Sequence, residues 1–251
     1  MDKKYSLVIA FLITGIIFLD IFLFTNLIRK DNKSIETAVL SRVIDGDTIV
    51  LNDNRIIRLL NVNSPEKGAY NSELSKDFLK NFENQSIKLI ITGIDKYSRN
   101  LARIYSSDLT YLNLKLVEKG FASKFLVDKK ELSLFSNAES YAISNSKGTW
   151  IKSEHFGCFK AAIDKIKEIV SLKNHCNIIN FNSWYLKDES RKIYLFKNIN
   201  IGSIIIHSNV GEDNETDVFW NSKQDIWNND RDSMYLFDEK NKIAHYQSYG
   251  Y

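Results

Sequence analysis

VIDGDTIVLNDNRIIRLLNVNSPE, from Val43 to Glu66, holds two aliphatic runs, Thr48 to Leu51 and Arg55 to Val62, either side of the turn-forming Asn52-Asp53-Asn54. Short β-branched runs around such a turn read as a hairpin. Asp45, Gly46 and Asp47 stand at one end. The second run carries Arg58 and leaves through Asn63, Ser64, Pro65 and Glu66, where the chain's single proline fixes the exit. Acidic oxygens from two segments can therefore converge beside one guanidinium. Such oxygens suit a hard cation and a guanidinium fork suits phosphate, which points to phosphodiester chemistry. The same residues also read as turn chemistry with a surface ion pair, and the hairpin alone leaves both readings open.

Downstream lies Asp95-Lys96-Tyr97-Ser98-Arg99-Asn100-Leu101-Ala102-Arg103-Ile104-Tyr105, a polar turn entering a strand with a second arginine beside it. With VIDGDT, RLL-x-V-x-SPE and DKY-x-R-x-LA-x-IY in order, followed by a helix ending in Gly120 and a closing helix that stops before Trp150, residues 38–152 resemble the staphylococcal nuclease (thermonuclease) family. Strands are expected near 38–44, 47–52, 55–62, 87–93 and 100–106, with helices near 70–83, 111–119 and 131–147. That order is expected to close an OB-fold barrel with helices packed on it. Leu74, Phe78, Leu79 and Phe82 share one helical face, and Leu112, Leu116 and Val117 another.

The resemblance implies a calcium site made by Asp47, Asn63 and the Ser64 carbonyl. Asn63 is a departure, because the family has an aspartate there; the amide keeps one oxygen but removes a charge, so weaker calcium binding is expected. Glu66 matches the family's proposed general base, and Arg58 and Arg99 match the arginines that bind the scissile phosphate. Lys96, Tyr97 and Lys124 are expected to flank the substrate groove. The implied activity is cleavage of single-stranded DNA and RNA with little sequence preference, leaving 3′-phosphates. The competing readings are a binding module that holds nucleic acid or protein without cutting, which Asn63 favours, and an adhesion protein with a relict barrel.

The 251 residues are 44% hydrophobic, enough for two modest cores, and exclude a disordered chain. The net charge is +3, and the surplus sits between residues 33 and 152, where 18 basic side chains face 14 acidic ones. This mild excess fits a substrate groove better than a surface coating a duplex. Leu7 to Phe24 is an apolar run of 18 residues with one charge, Asp20. It reaches roughly 27 Å as a helix, close to the ~30 Å of a membrane core. No small-x-small cleavage site follows, so residues 6–28 read as an uncleaved transmembrane anchor and 29–37 as a linker. The flanking charges lean slightly toward an inside C-terminus, but exported relatives and the length of the downstream region place the catalytic domain outside, at the membrane surface.

After Trp150 the pattern becomes short β-like runs near 166–172, 183–186, 192–196, 203–207, 234–237 and 242–246, which suggest a sandwich. Phe181 to Glu189 and Asp225 to Asp232 resemble the lamin tail domain, an immunoglobulin-like fold, over residues 158–251, with Ser183 and Arg231 where that family has turn glycines. The resemblance implies an interaction or tethering module for a surface or nucleic-acid partner. Trp184, Trp220 and Trp227 read as packing. The four histidines lie far apart and suggest no zinc site. Cys158 and Cys176 are the only cysteines; they form either two buried thiols or a bridge worth about 3 kcal/mol.

Overall fold

The computed structural model describes residues 35–251. The expected transmembrane anchor at 6–28 lies outside them, and among the described residues no helix is long and apolar enough to cross a membrane. The N-terminal unit is built from β1 (Glu36–Asp45), β2 (Thr48–Leu51), β3 (Ile56–Leu59), β4 (Val62–Asn63), α1 (Ser72–Lys80), β5 (Ser86–Ile94), β6 (Asn100–Tyr105), α2 (Leu112–Glu118), β7 (Ser123–Lys124) and α3 (Leu132–Ser144). Five strands close a barrel in the order β1-β2-β3-β6-β5, as expected for the OB-fold. β4 and β7 form a separate two-stranded ladder that brings Asn63 opposite Ser123.

Inward-facing aliphatics account for the closure. Leu40, Ile49, Leu51, Ile57, Leu59, Leu89 and Ile104 are fully buried, together with Leu112, Leu116 and Phe135 from the helices. Each such side chain contributes about 1.5–3 kcal/mol of hydrophobic stabilisation. Asn113, fully buried on α2, ties helix to barrel: its amide donates to the carbonyls of Leu60 and Ala102 at 2.9 and 3.0 Å and accepts from Ile104 N–H at 2.9 Å.

The C-terminal unit contains β8 (Phe159–Asp164), β9 (Ile169–Asn174), β10 (Ile179–Asn180), β11 (Tyr185–Lys187), β12 (Ile193–Leu195), β13 (Asn200–Ile201), β14 (Ser203–His207), β15 (Asp217–Phe219), β16 (Asp232–Phe237) and β17 (Ile243–Tyr249). Two four-stranded sheets, β12-β11-β16-β17 and β15-β14-β9-β8, enclose Val170, Leu172, Leu186, Ile204, Ile206 and Leu236. Trp184 stacks on Phe181 at 4.4 Å, and it and Trp227 are buried, as packing residues would be. Cys158 and Cys176 are bridged.

The two units are joined face to face. Ala142, Ile143 and Trp150 pack on Tyr235, Phe237 and Ile243, with Trp150 stacked on Tyr235 at 5.3 Å. Ile243 N–H donates to Ile151 C=O at 2.8 Å, and Ser153 N–H to Ile243 C=O at 2.9 Å.

Candidate active site

The β1–β2 turn passes so close to the chain beyond β4 that only glycine fits at position 46: a Cβ there would lie 2.5 Å from the Ser75 Cβ and 2.6 Å from the Ser64 Cβ. Asp47 is thereby set inside, 2% exposed. Its Oδ2 accepts from Ser64 N–H at 2.9 Å and Ser64 Oγ at 3.0 Å, and its Oδ1 lies 3.2 Å from Arg58 Nε. Antiparallel register opposes Thr48 and Arg58, and parallel register opposes Arg58 and Leu101. This explains why Arg58 and Arg99, about forty residues apart in sequence, come near enough for the charge of Arg99 to act on Arg58. Arg58 Nη2 donates to Asn63 Oδ1 at 3.2 Å, while Arg99 is held by Asp95 at 2.8 Å and reaches Thr48 Oγ1 at 3.4 Å.

The electrostatics are tense. Burial pushes the Arg58 guanidinium below its ordinary range, with Asp47 opposing that shift and the charges of Arg191 and Arg99 adding to it. Burial raises the Asp45 carboxyl, and the neighbouring Asp47 charge raises it further. A buried guanidinium crowded by others gains when a dianionic phosphate transition state arrives.

Lys96 and Tyr97 lie exposed on the surface beside Arg99. Tyr97 is exposed, with Lys96 Nζ 5.0 Å and the Arg99 guanidinium carbon 5.4 Å from its ring centroid. Glu66 is also on the surface side, and its carboxylate pairs with Arg191 at 2.7 Å.

Lys124 is not a groove residue. It has no solvent exposure; its Nζ is 2.5 Å from Glu139 Oε2 and also contacts Tyr246 Oη at 2.8 Å and Ser233 Oγ at 3.1 Å. Burial is the largest single influence and works against its charge, but Glu139 and Tyr246 together outweigh it and hold the ammonium above its ordinary range. The motif position was legible, but the second domain that covers it was not.

The calcium expectation is not met by the donor arrangement. A hard cation takes roughly six to eight oxygens. Both Asp47 oxygens are committed, Asn63 accepts from Arg58 and donates to Glu189 C=O at 3.0 Å, and the Ser64 carbonyl accepts from Arg191 Nη1 at 3.3 Å. Among the described residues no three His, Cys, Asp or Glu side chains gather as a metal-holding group. As arranged, the donor set does not fit the ion.

Arg191, in the Asp188–Lys192 turn between β11 and β12, is the site residue that the sequence reading missed. It lies 127 residues from Ser64, in a charged turn with no signal tying it to the nuclease-like motifs.

A closed five-stranded barrel with helices packed on it, carrying a buried aspartate paired with Arg58 and with Arg99 on the neighbouring Thr48, has the architecture of an OB-fold. A model of the family described as Staphylococcal nuclease homologue matches residues 56–152. Thermonuclease of Staphylococcus intermedius is 32% identical over 130 residues, 46% of this chain and 76% of that protein. Endonuclease YhcR of Bacillus subtilis (strain 168) is 25% identical over 140 residues, 47% of this chain, and an endonuclease of Escherichia coli O157:H7 is 34% identical over 85 residues, 32% of this chain. The matched region spans 12% of the Bacillus protein and 56% of the Escherichia protein. The chain belongs to the staphylococcal nuclease homologue family.

Proposed function

We propose that this chain is a phosphodiester hydrolase that cuts single-stranded DNA and RNA with little sequence preference. The observation that carries the reading is the convergence of Arg58 and Arg99 beside buried Asp47, with Arg58 oriented by Asp47 and Asn63. In the reaction, Glu66 takes a proton from water while the water oxygen bonds to phosphorus. The phosphorus–5′-oxygen bond then breaks, the leaving oxygen takes a proton from solvent, and a 3′-phosphate remains. Arg58 and Arg99 bind the non-bridging oxygens and stabilise the charge that builds there. Lys96 and Tyr97 contact the strand on either side.

The C-terminal sandwich is proposed as a lamin-tail-like accessory domain, and residues 6–28 as the tether that holds the enzyme at the outer membrane surface. The Cys158–Cys176 bridge supports an extracytoplasmic location, since such bonds persist in oxidising compartments. The test is turnover of a single-stranded DNA oligonucleotide by the purified chain. Arg58→Ala and Arg99→Ala should each lower kcat by at least ~100-fold, and Glu66→Gln should do likewise while oligonucleotide affinity stays within a few-fold. Three variants that turn over at the wild-type rate would refute the assignment of these residues. A wild type that binds the oligonucleotide but never cuts it would mark a binding module instead, the reading that Asn63 favours.

A further inference from the structure

Each oxygen that the sequence offers to a divalent cation already holds an internal donor, and one turn of the second domain supplies one of those donors and fixes the orientation of a second oxygen. Glu189 C=O takes the Asn63 amide N–H at 3.0 Å, fixing the amide so that its oxygen faces Arg58. Two residues on, Arg191 Nη1 stands 3.3 Å from the Ser64 carbonyl and 2.7 Å from Glu66 Oε1. A guanidinium therefore occupies the space between the carbonyl and carboxylate that would flank a cation. Three guanidiniums, Arg58, Arg99 and Arg191, now serve a cluster whose carboxylates are Asp45, Asp47 and Glu66, with Asp95 behind Arg99. Three positive charges offset three of these four carboxylates, so a surplus of only one negative charge remains to draw in a divalent ion.

Arg191 is also reachable. With Asn63 and Glu66 it lines a cavity of about 550 Å³ between the two domains, walled further in by Tyr185, Trp150 and Lys187. Both of its contacts use Nη1, leaving Nε and Nη2 for a ligand. A guanidinium is a planar fork that binds two phosphate oxygens at once, and it stays charged under all working conditions.

We propose, on the basis of the hydrolase reading above, that Arg191 is a catalytic residue supplied by the second domain, whose guanidinium brings to the scissile phosphate the positive charge of a metal ion, so that cleavage proceeds without calcium. The barrel is then incomplete as an enzyme without the sandwich. Substrate entry moves Arg191 from Glu66 onto the phosphate, and this frees the Glu66 carboxylate to accept the proton from water.

The test uses the full chain and a single-stranded DNA oligonucleotide, with turnover measured in calcium and in chelator and thermal melting as the folding control. Wild type should cut at rates within about threefold in both, and Arg191→Gln should lower kcat at least ~100-fold without a change in melting, with Arg191→Lys recovering part of the loss. The double variant Asn63→Asp/Arg191→Gln should bind calcium, read by terbium luminescence and calorimetry, where wild type does not. Calcium binding by wild type together with loss of cleavage in chelator would overturn the proposal. So would an increase in kcat for Arg191→Gln, which would make the turn an obstruction. If wild type cuts nothing in either condition the hydrolase reading falls, and Arg191 is then judged by binding alone. Its removal should weaken oligonucleotide affinity and reduce the salt slope by about 0.7; an unchanged slope overturns its phosphate role.

Discussion

Lys124 Nζ and Glu139 Oε2 make a buried ion pair at 2.5 Å, and Tyr246 Oη donates to the same carboxylate oxygen at 2.8 Å. Removing one member of such a pair leaves a charge in a low-dielectric site, which costs about 3–5 kcal/mol. Lys124→Met should therefore lower stability by that amount in denaturant titration. The affinity of the folded protein for single-stranded DNA and its salt dependence should stay as in wild type. A normal melting transition with weakened DNA binding would restore Lys124 to the groove. The contrast between Lys124 and Arg191 shows what residue-level reading captures. Asp47, Arg58 and Arg99 are fixed by barrel register inside one motif-bearing segment, so the sequence displays them. The sequence does not display the burial of Lys124 or the role of Arg191, because Ser233 and Tyr246, which cover Lys124, and Ser64, which Arg191 reaches, lie 109 to 127 residues away in the other domain, although Glu139, the ion-pair partner of Lys124, is only 15 residues on.

At the scale of elements, legibility follows local pattern. The five barrel strands and three helices fall where alternation and helical spacing place them, because each strand buries one aliphatic face in the same core. The ladder of β4 and β7 was not legible, since two-residue strands have no period. In the sandwich, β8 reads FKAAID, and its alanines dilute the apolar alternation that marks a strand. Ile166, placed in a strand by the sequence reading, is 77% exposed in the β8–β9 turn. Ser183 adopts φ 67°, so the position keeps the left-handed turn of the resembling family despite lacking its glycine. The bridge between Cys158 and Cys176 closes a loop of separation 18 that holds the start of β8 against the chain beyond β9. Replacing both cysteines with serine should cost about 3 kcal/mol on the loop-entropy estimate, measured as the loss in unfolding free energy in urea. No loss would mean that the bridge does not form in the purified protein.

The whole molecule is held together along the seam where Glu189 is buried beside the nuclease-like site. Its Oε2 accepts from Tyr251 Oη, while Oε1 has no hydrogen-bond partner, and its backbone carbonyl anchors Asn63. Burial pushes the Glu189 carboxyl up to about 7; the Tyr251 hydrogen bond and Lys124 oppose the shift, and Asp232 and Glu139 reinforce it. The ordinary carboxyl value is 4.5, so between that pH and about 7 the folded chain holds a proton that the unfolded chain has released. Stability from this group is therefore fully present below about pH 4.5 and is lost as pH rises through about 7. Such a separation corresponds to roughly 3 kcal/mol, or a fall of roughly 6–12 °C in melting temperature between pH 5 and pH 8. Asp188, raised to about 6 chiefly by burial, adds a contribution of the same sign. Glu189→Gln keeps the shape but cannot ionise, so its melting temperature should fall less than that of wild type over the same range, and the difference isolates Glu189. Parallel melting curves for the two proteins would show Glu189 ionised in the folded state. The seam would then need a donor for Oε1 that the fold does not supply.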